Sequence, residues 1–143
     1  MRIASLILMF TLYSSCSIHQ KKIPQKEISL EKTQCFGTCP IYTINIFSDG
    51  TGIYEGKKFV DLEGTYNFKV HKKKLRKIRR MANQINFKKI ENKYFNELIR
   101  DAPSTIIFIN NNLVKYNETP NEDILRINEY IYKISLESIN QDH

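Results

Sequence analysis

Cys35 and Cys39 are the residues of this sequence whose type and spacing could do chemistry. Three residues separate them, and Gly37 lies in the middle of that gap. A loop of this kind can bring the two Cα atoms within the roughly 4.4–6.8 Å that a disulfide spans. We therefore expect a structural disulfide in an extracytoplasmic protein. A redox-active pair and half of a metal site remain as alternatives.

Other candidate ligands and catalytic groups are few. The cysteine spacing is not the C-x-x-C of thiol oxidoreductases, and the sequence supplies no flanking histidine or second cysteine pair for zinc. His71 lies inside the domain, whereas His143 is the last residue. Asp49 and Asp101 are typical of turns, and no nucleophile-elbow, zinc-protease or phosphate-loop motif occurs. We expect no metal, no cofactor and no enzymatic activity.

The first sixteen residues have the pattern of an export signal. A positively charged start precedes a largely apolar stretch over residues 3–13, and small residues precede Cys16. The apolar stretch is shorter than the roughly 20 residues that span a bilayer. The segment L-Y-S-S-C at residues 12–16 resembles the lipobox of bacterial lipoproteins, which implies that Cys16 is lipidated. A plain secretory signal cut near Ser15 and a cytoplasmic protein are the alternatives.

These features divide the 143 residues into three parts. Residues 1–15 are predicted to be a lipoprotein signal peptide, residues 16–27 the lipidated cysteine and a polar, flexible tether, and residues 28–143 a single domain. A composition of 41% hydrophobic and 26% charged residues is that of a globular chain rather than a disordered one. Removal of Arg2 with the signal leaves about +6 of the formal charge of +7.

Much of this positive charge is concentrated in one segment. A solvated helix face is one interpretation, and attraction to anionic lipid head groups near the anchor is the functional one. Nucleic-acid binding is not expected, because it would require a cytoplasmic location and aromatic residues beside the cations. The candidate residues for the anionic surface are Lys72, Lys73, Lys74, Arg76, Lys77, Arg79 and Arg80.

Alternating and β-branched patterns predict the strands that position these groups. Residues 28–31 alternate apolar and polar side chains, and residues 41–47 are rich in β-branched and aromatic types. Asp49-Gly50 predicts a hairpin turn with positive φ at both residues, followed by a returning strand over residues 52–55. Residues 59–62 and 65–70 are predicted to be extended, and residues 105–109 and 113–116 to form a second hairpin.

Apolar side chains at helical spacing predict two helices. The first covers residues 71–85, with His71 as a weak N-cap, and the second begins with Pro120 at its first helical position. The order is three to four strands, a helix, a hairpin and a C-terminal helix. This order predicts an α+β fold with a mostly antiparallel sheet and both helices on one face. The inward-facing residues are Leu75, Ile78, Ala82 and Ile85, and Ile124, Ile127, Ile131 and Ile134.

The hexamer C-F-G-T-C-P at residues 35–40 is followed by Tyr42, by S-D-G at residues 48–50 and by Y-E-G at residues 54–56. Together these segments resemble an uncharacterised bacterial lipoprotein domain family of unknown function with a CFGTCP-x-Y / SDG / Y-x-G signature. D-x-P-x-T at residues 101–105 also fits that pattern, and the resemblance covers residues 28–138. It implies the same α+β domain and an extracytoplasmic setting, and it implies no activity.

These observations predict a membrane-anchored extracytoplasmic bacterial lipoprotein with a non-catalytic binding or accessory domain. We expect it in the cell envelope, anchored through Cys16 to the membrane, with anionic lipid head groups and an envelope protein as partners. One alternative is a thiol–disulfide active lipoprotein that uses Cys35 and Cys39. The other is a secreted protein-interaction or inhibitor-like domain.

Overall fold

Six antiparallel strands and two helices make up the part of the chain that a computed structural model describes, residues 23–90, 94–99 and 101–141. A short 3-10 helix, Phe87–Lys89, follows the first helix. The elements in chain order are β1 (Lys26–Lys32), β2 (Ile41–Phe47), β3 (Thr51–Lys58), β4 (Gly64–Lys69), α1 (Lys72–Gln84), β5 (Thr105–Ile109), β6 (Asn112–Tyr116) and α2 (Glu122–Gln141).

The six strands form one sheet in the order β4-β3-β2-β1-β5-β6. The predicted α+β class is confirmed, and the predicted three to four strands and separate hairpin are joined in one six-stranded antiparallel sheet. The hairpin is part of the sheet because β5 pairs with the free side of β1, where Leu30 lies opposite Ile107.

Apolar residues on one face of the sheet pack against both helices. Ile28, Leu30, Ile44 and Ile46 are fully buried, and they share one core cluster with the inward-facing residues of α1 and α2. Burial of each such side chain contributes about 1.5–3 kcal/mol. The predicted helical stripes are confirmed, except that Ile85 is only half-buried. The fully or almost fully buried members are Leu75, Ile78, Ala82, Ile124, Ile127, Ile131 and Ile134.

The predicted strand over residues 59–62 is wrong. These residues form the bent connection between β3 and β4, and Phe59 has a left-handed backbone with φ of 56°. Strand β4 begins at Gly64, one residue before the predicted start, and Gly64 lies opposite Gly56 of β3. The β-branched and aromatic side chains of residues 59–62 favour a strand. The chain nevertheless reverses direction there, because β4 pairs antiparallel with β3.

The Asp49-Gly50 hairpin forms, but only Gly50 has a positive φ, of 91°. The side chain of Asp49 accepts hydrogen bonds from the backbone N–H of Thr51 at 3.0 Å and from its hydroxyl at 2.7 Å. Gly50 N–H donates to the carbonyl of Phe47 at 2.9 Å, so a three-residue loop replaces the expected two-residue turn. At Gly50 an added Cβ would lie 2.7 Å from the carbonyl oxygen of Val70.

Both helices begin on side-chain caps. His71 caps α1 as predicted, and its Nδ1 accepts from the backbone N–H of Lys73 at 3.2 Å. For α2 the expected start at Pro120 is wrong. The helix begins at Glu122, because Asn121 Oδ1 accepts from the backbone N–H of Ile124 at 3.0 Å and so takes the capping position.

A cluster of tyrosines packs between the sheet and α2. The ring of Tyr42 stacks on Tyr54 at 6.1 Å between centroids and lies 5.0 Å from that of Tyr132. Tyr54 is 0% exposed, and its hydroxyl has no hydrogen-bond partner in the described part of the chain. Burial raises the pKa of Tyr54 to about 12. By contrast, the hydroxyl of Tyr116 accepts from the side-chain amide of buried Asn128 at 3.0 Å.

The two tyrosines therefore respond differently to loss of the hydroxyl. Tyr54→Phe removes an unpaired buried oxygen, so we expect an unchanged or higher free energy of unfolding. Tyr116→Phe deprives the amide of Asn128 of its acceptor, and we expect a loss of about 1–3 kcal/mol. Urea unfolding followed by circular dichroism measures both. Equal losses in the two variants would show that Tyr54 has a partner.

Candidate functional site

The chain enters the sheet at one end, which we call the proximal end. Gln25 and Ser48 exchange two hydrogen bonds there: Ser48 N–H donates to the carbonyl of Gln25 at 2.9 Å, and Gln25 N–H donates to Ser48 Oγ at 3.3 Å. The turn at Asn110 and Asn111 lies at the same end and shares a groove with Gln25. The predicted signal peptide, Cys16 and tether residues 16–22 lie outside the described residues.

Helix α1 lies across this proximal end. Arg79 donates from Nη2 to Glu27 Oε2 at 2.6 Å, and its Nε donates to the other oxygen of the same carboxylate. The hydrogen bond from the guanidinium to Glu27 raises the pKa of Arg79. Since Glu27 is the second residue of β1, this bidentate pair fixes α1 beside the point where the chain enters the domain.

Two further cations of α1 contact α2. Lys74 donates to Glu137 at 2.8 Å, and this hydrogen bond lowers the pKa of Glu137. Lys77 Nζ lies 4.3 Å from the centroid of the Tyr130 ring. These contacts align the helices antiparallel and leave a shallow groove of about 410 Å³ between them. Its lining is Lys73, Lys74, Arg76, Lys77, Arg80 and Tyr130.

The seven predicted cations therefore divide into two groups. Lys74 and Arg79 are half-buried in ion pairs, so these two of the seven candidates are engaged within the domain. The other five are exposed and form what we call the basic surface. Within the described ranges these five form no ion pair with a carboxylate. The basic surface consists of Lys72, Lys73, Arg76, Lys77 and Arg80.

Two features of the described residues bear on other functions. No helix there is long and apolar enough to cross a bilayer. No group of three or more histidine, cysteine or acidic side chains there is arranged to hold a metal ion. Of the catalytic candidates, His71 uses its ring nitrogen to cap α1, and Asp49 uses its carboxylate to fix the β2–β3 turn.

The opposite end of the sheet, which we call the disulfide end, holds the two cysteines. Cys35 and Cys39 are bonded to each other with their Cα atoms 5.9 Å apart, as the spacing predicted. The backbone N–H of Gly37 donates to Cys35 Sγ at 3.2 Å. Both cysteines are half-buried, whereas Phe36, between them, is 89% exposed.

A groove of about 530 Å³ runs beside this loop, and Cys35 lines it. Lys57, Lys58 and Phe59 from the end of β3 form the other wall, because Lys58 lies opposite Ile41 in the β2–β3 pairing. Sequence reasoning missed this groove, since it assigned Phe59 to a strand. The hairpin register could have predicted the groove. Counting outward from the turn at Gly50 along both strands places the end of β3 beside the start of β2.

The disulfide closes only five residues, so its contribution to stability should be modest. We expect the double variant Cys35→Ser/Cys39→Ser to lose about 2 kcal/mol in free energy of unfolding, the loop-closure entropy of so short a ring. Urea unfolding with and without reductant measures this loss. Wild-type protein in reductant should match the double variant. A loss much larger than 2 kcal/mol would show that the bridge fixes the fold beyond its own loop.

A family match covers most of the described residues. The family described as Domain of unknown function (DUF6438) matches residues 26–140, which include every strand and nearly all of α2. No curated protein and no solved structure matches the chain. The family match begins at the first strand and covers well over half of the chain. The chain therefore belongs to the DUF6438 family, a domain family of unknown function.

Proposed function

We propose that this chain is an extracytoplasmic bacterial lipoprotein, anchored to a membrane of the cell envelope through lipid on Cys16. Its domain serves a binding or accessory role at the membrane surface rather than a catalytic one. The sequence pattern before Cys16 supports the anchor, and the paired cysteines suit an oxidising compartment. The domain has no cofactor in this proposal, and nucleic acid is not among its partners.

The observation that carries the proposal is the contact between Arg79 and Glu27. It holds α1 beside the point where the chain enters β1, so a tether from Cys16 reaches the domain next to the basic surface. A domain held there by a short tether presents its cations to the head groups. The disulfide end, at the far end of the seven-residue β1, is then about 20 Å farther from the bilayer.

Electrostatics make this orientation favourable. Each lysine or arginine near an anionic surface contributes about 1 kcal/mol, and the attraction decays within the Debye length of about 8 Å at physiological salt. The exposed cations of α1 are not neutralised by carboxylates among the described residues, so their charge is available to lipid phosphates. The lipid anchor holds the domain close enough for this short-range attraction to act.

Vesicle binding by the domain itself can be measured with the chain from residue 23 onward, without the anchor. We expect it to co-sediment with vesicles rich in phosphatidylglycerol and not with neutral phosphatidylcholine vesicles. Arg76→Gln/Arg80→Gln removes two exposed cations from the basic surface, so the affinity should fall by up to about 30-fold. Raising the salt concentration should abolish the binding.

Lys57→Gln/Lys58→Gln is the matched control for this experiment. Both residues are exposed at the disulfide end, and the variant has the same net charge as the α1 variant. We expect its vesicle affinity to stay close to that of the wild type. Equal losses in the two variants, or equal binding to neutral and anionic vesicles, would contradict an oriented basic surface.

In this proposal the membrane anchor depends on Cys16. We expect the mature protein to begin at Cys16 and to carry acyl chains, which mass spectrometry of its N-terminal peptide measures. Two or more chains give stable anchoring, so the wild type should fractionate with membranes. Cys16→Ser should leave no acylated N-terminal peptide. A mature chain that begins elsewhere, or an unmodified Cys16, would favour the plain secretory alternative.

A further inference from the structure

We propose that the Cys35–Cys39 disulfide is a thiol–disulfide exchange site, which oxidises a cysteine pair of a partner protein docked in the groove beside Cys35. This activity goes beyond the proposed membrane function and does not depend on it. Exposed disulfides tend to be the labile ones, and this bridge joins two half-buried cysteines in an otherwise exposed loop next to an open groove.

The environment of Cys35 Sγ favours a thiolate at that position. The backbone N–H of Gly37 donates to this sulfur at 3.2 Å, and the same donor would stabilise the negative charge of the reduced form. Cys35 also lines the groove, so a partner seated there lies beside this residue. The same residue of the pair thus faces the partner and is stabilised as a leaving group.

Cations on the other wall of the groove further favour the thiolate form of Cys35. Lys57 and Lys58 line the same groove as Cys35, and Glu31 is the one acidic residue of that lining. Lysine ammonium groups near a cysteine lower the pKa of its thiol, and they attract the thiolate of a partner. These lysines therefore act as positioning residues for the attacking anion.

Two exposed aromatic side chains beside the groove provide an apolar contact surface for a partner. Phe36 lies at the tip of the disulfide loop with 89% of its surface exposed, and Phe59 is 53% exposed on the opposite wall. Phe59 has a left-handed backbone, a conformation that is unusual for a bulky residue and that places its side chain beside the groove. The occupant that fits is an extended segment with a reduced cysteine pair and neighbouring apolar side chains.

The exchange takes place in two balanced steps. The first partner thiolate attacks Cys35 Sγ, the bond between the two sulfurs breaks, and Cys39 leaves as a thiolate that takes up a proton. The second partner thiolate then attacks the partner sulfur of the mixed disulfide. Cys35 leaves as a thiolate, stabilised by the N–H of Gly37. The partner gives two electrons to the Cys35–Cys39 pair and releases two protons as its thiols ionise, of which Cys39 takes up one and the solvent the other.

The first test compares reduction of the folded and unfolded protein by dithiothreitol, with the full chain in detergent micelles. Folding shields a purely structural disulfide, whereas we expect the folded chain to be reduced at least as fast as the chain unfolded in urea. Oxidised glutathione reduced in the same two solutions corrects for the effect of urea on the thiol. A folded-state rate below the unfolded-state rate would overturn the proposal.

The second test asks whether the groove residues matter. Lys57→Gln/Lys58→Gln should slow reduction of the folded protein by about threefold or more. Lys88→Gln/Lys89→Gln, an equally charged change at exposed residues after α1, should leave the rate unchanged. Equal effects of the two variants would show that the rate depends on net charge and not on the groove lysines, and this result would overturn the proposal. Vesicle binding does not enter either measurement, so the membrane proposal can fail separately.

The third test identifies the reactive sulfur. The reduced wild-type chain is treated briefly with limiting iodoacetamide at pH 7, and fragmentation mass spectrometry locates the label. We expect Cys35 to be alkylated about tenfold faster than Cys39. Equal labelling, or faster labelling of Cys39, would overturn the assignment of Cys35 as the attacked residue. This measurement needs no cysteine variant and is therefore independent of whether such a variant folds.

Discussion

Strand β1 is paired along its length on both sides, with β2 through Ser29 opposite Asn45 and with β5 through Leu30 opposite Ile107. Without it, the β2–β3–β4 meander and the β5–β6 hairpin would be two small sheets, and neither helix would have a continuous apolar face to cover. Its inward residues Ile28 and Leu30 are fully buried beneath the helices. The two ends of β1 also hold the two candidate surfaces, because Glu27 holds α1 and the chain after Lys32 leads to the disulfide.

Local patterns predicted most of the elements, and long-range pairings account for most of what they missed. The bounds of β2 and β5 follow from their β-branched composition, and the stripe from Ile124 to Ile134 follows from helical spacing. The pairing of β1 with β5 joins segments more than 70 residues apart, and no local pattern specifies it. The same limit applies to the candidate surfaces: the run of cations was visible in the sequence, but the contact of Arg79 with Glu27 spans 52 residues.

The fold concentrates the exposed positive charge of the domain on one surface. A net charge of +7 by itself predicts only attraction to anions. Ion pairs with Glu27 and Glu137 hold two of the helix cations inward, and those contacts orient the remaining cations away from the core. The carboxylates of β1 and α2 thus determine which part of the basic run stays exposed. A sequence count of cations could not have separated these two groups.

The disulfide is difficult to explain as a staple alone. The chain after β1 is already held by Thr33, whose backbone N–H donates to the carbonyl of Ser104 at 3.0 Å and whose hydroxyl accepts from the N–H of Ser104 at 2.8 Å. The start of β2 is held by its pairing with β3, so the bridge closes a five-residue ring whose two ends are fixed without it. The entropy that it removes is correspondingly small. An aromatic side chain exposed at its tip, a hydrogen bond to one sulfur and a lysine-lined groove are the features that the proposed exchange site would use.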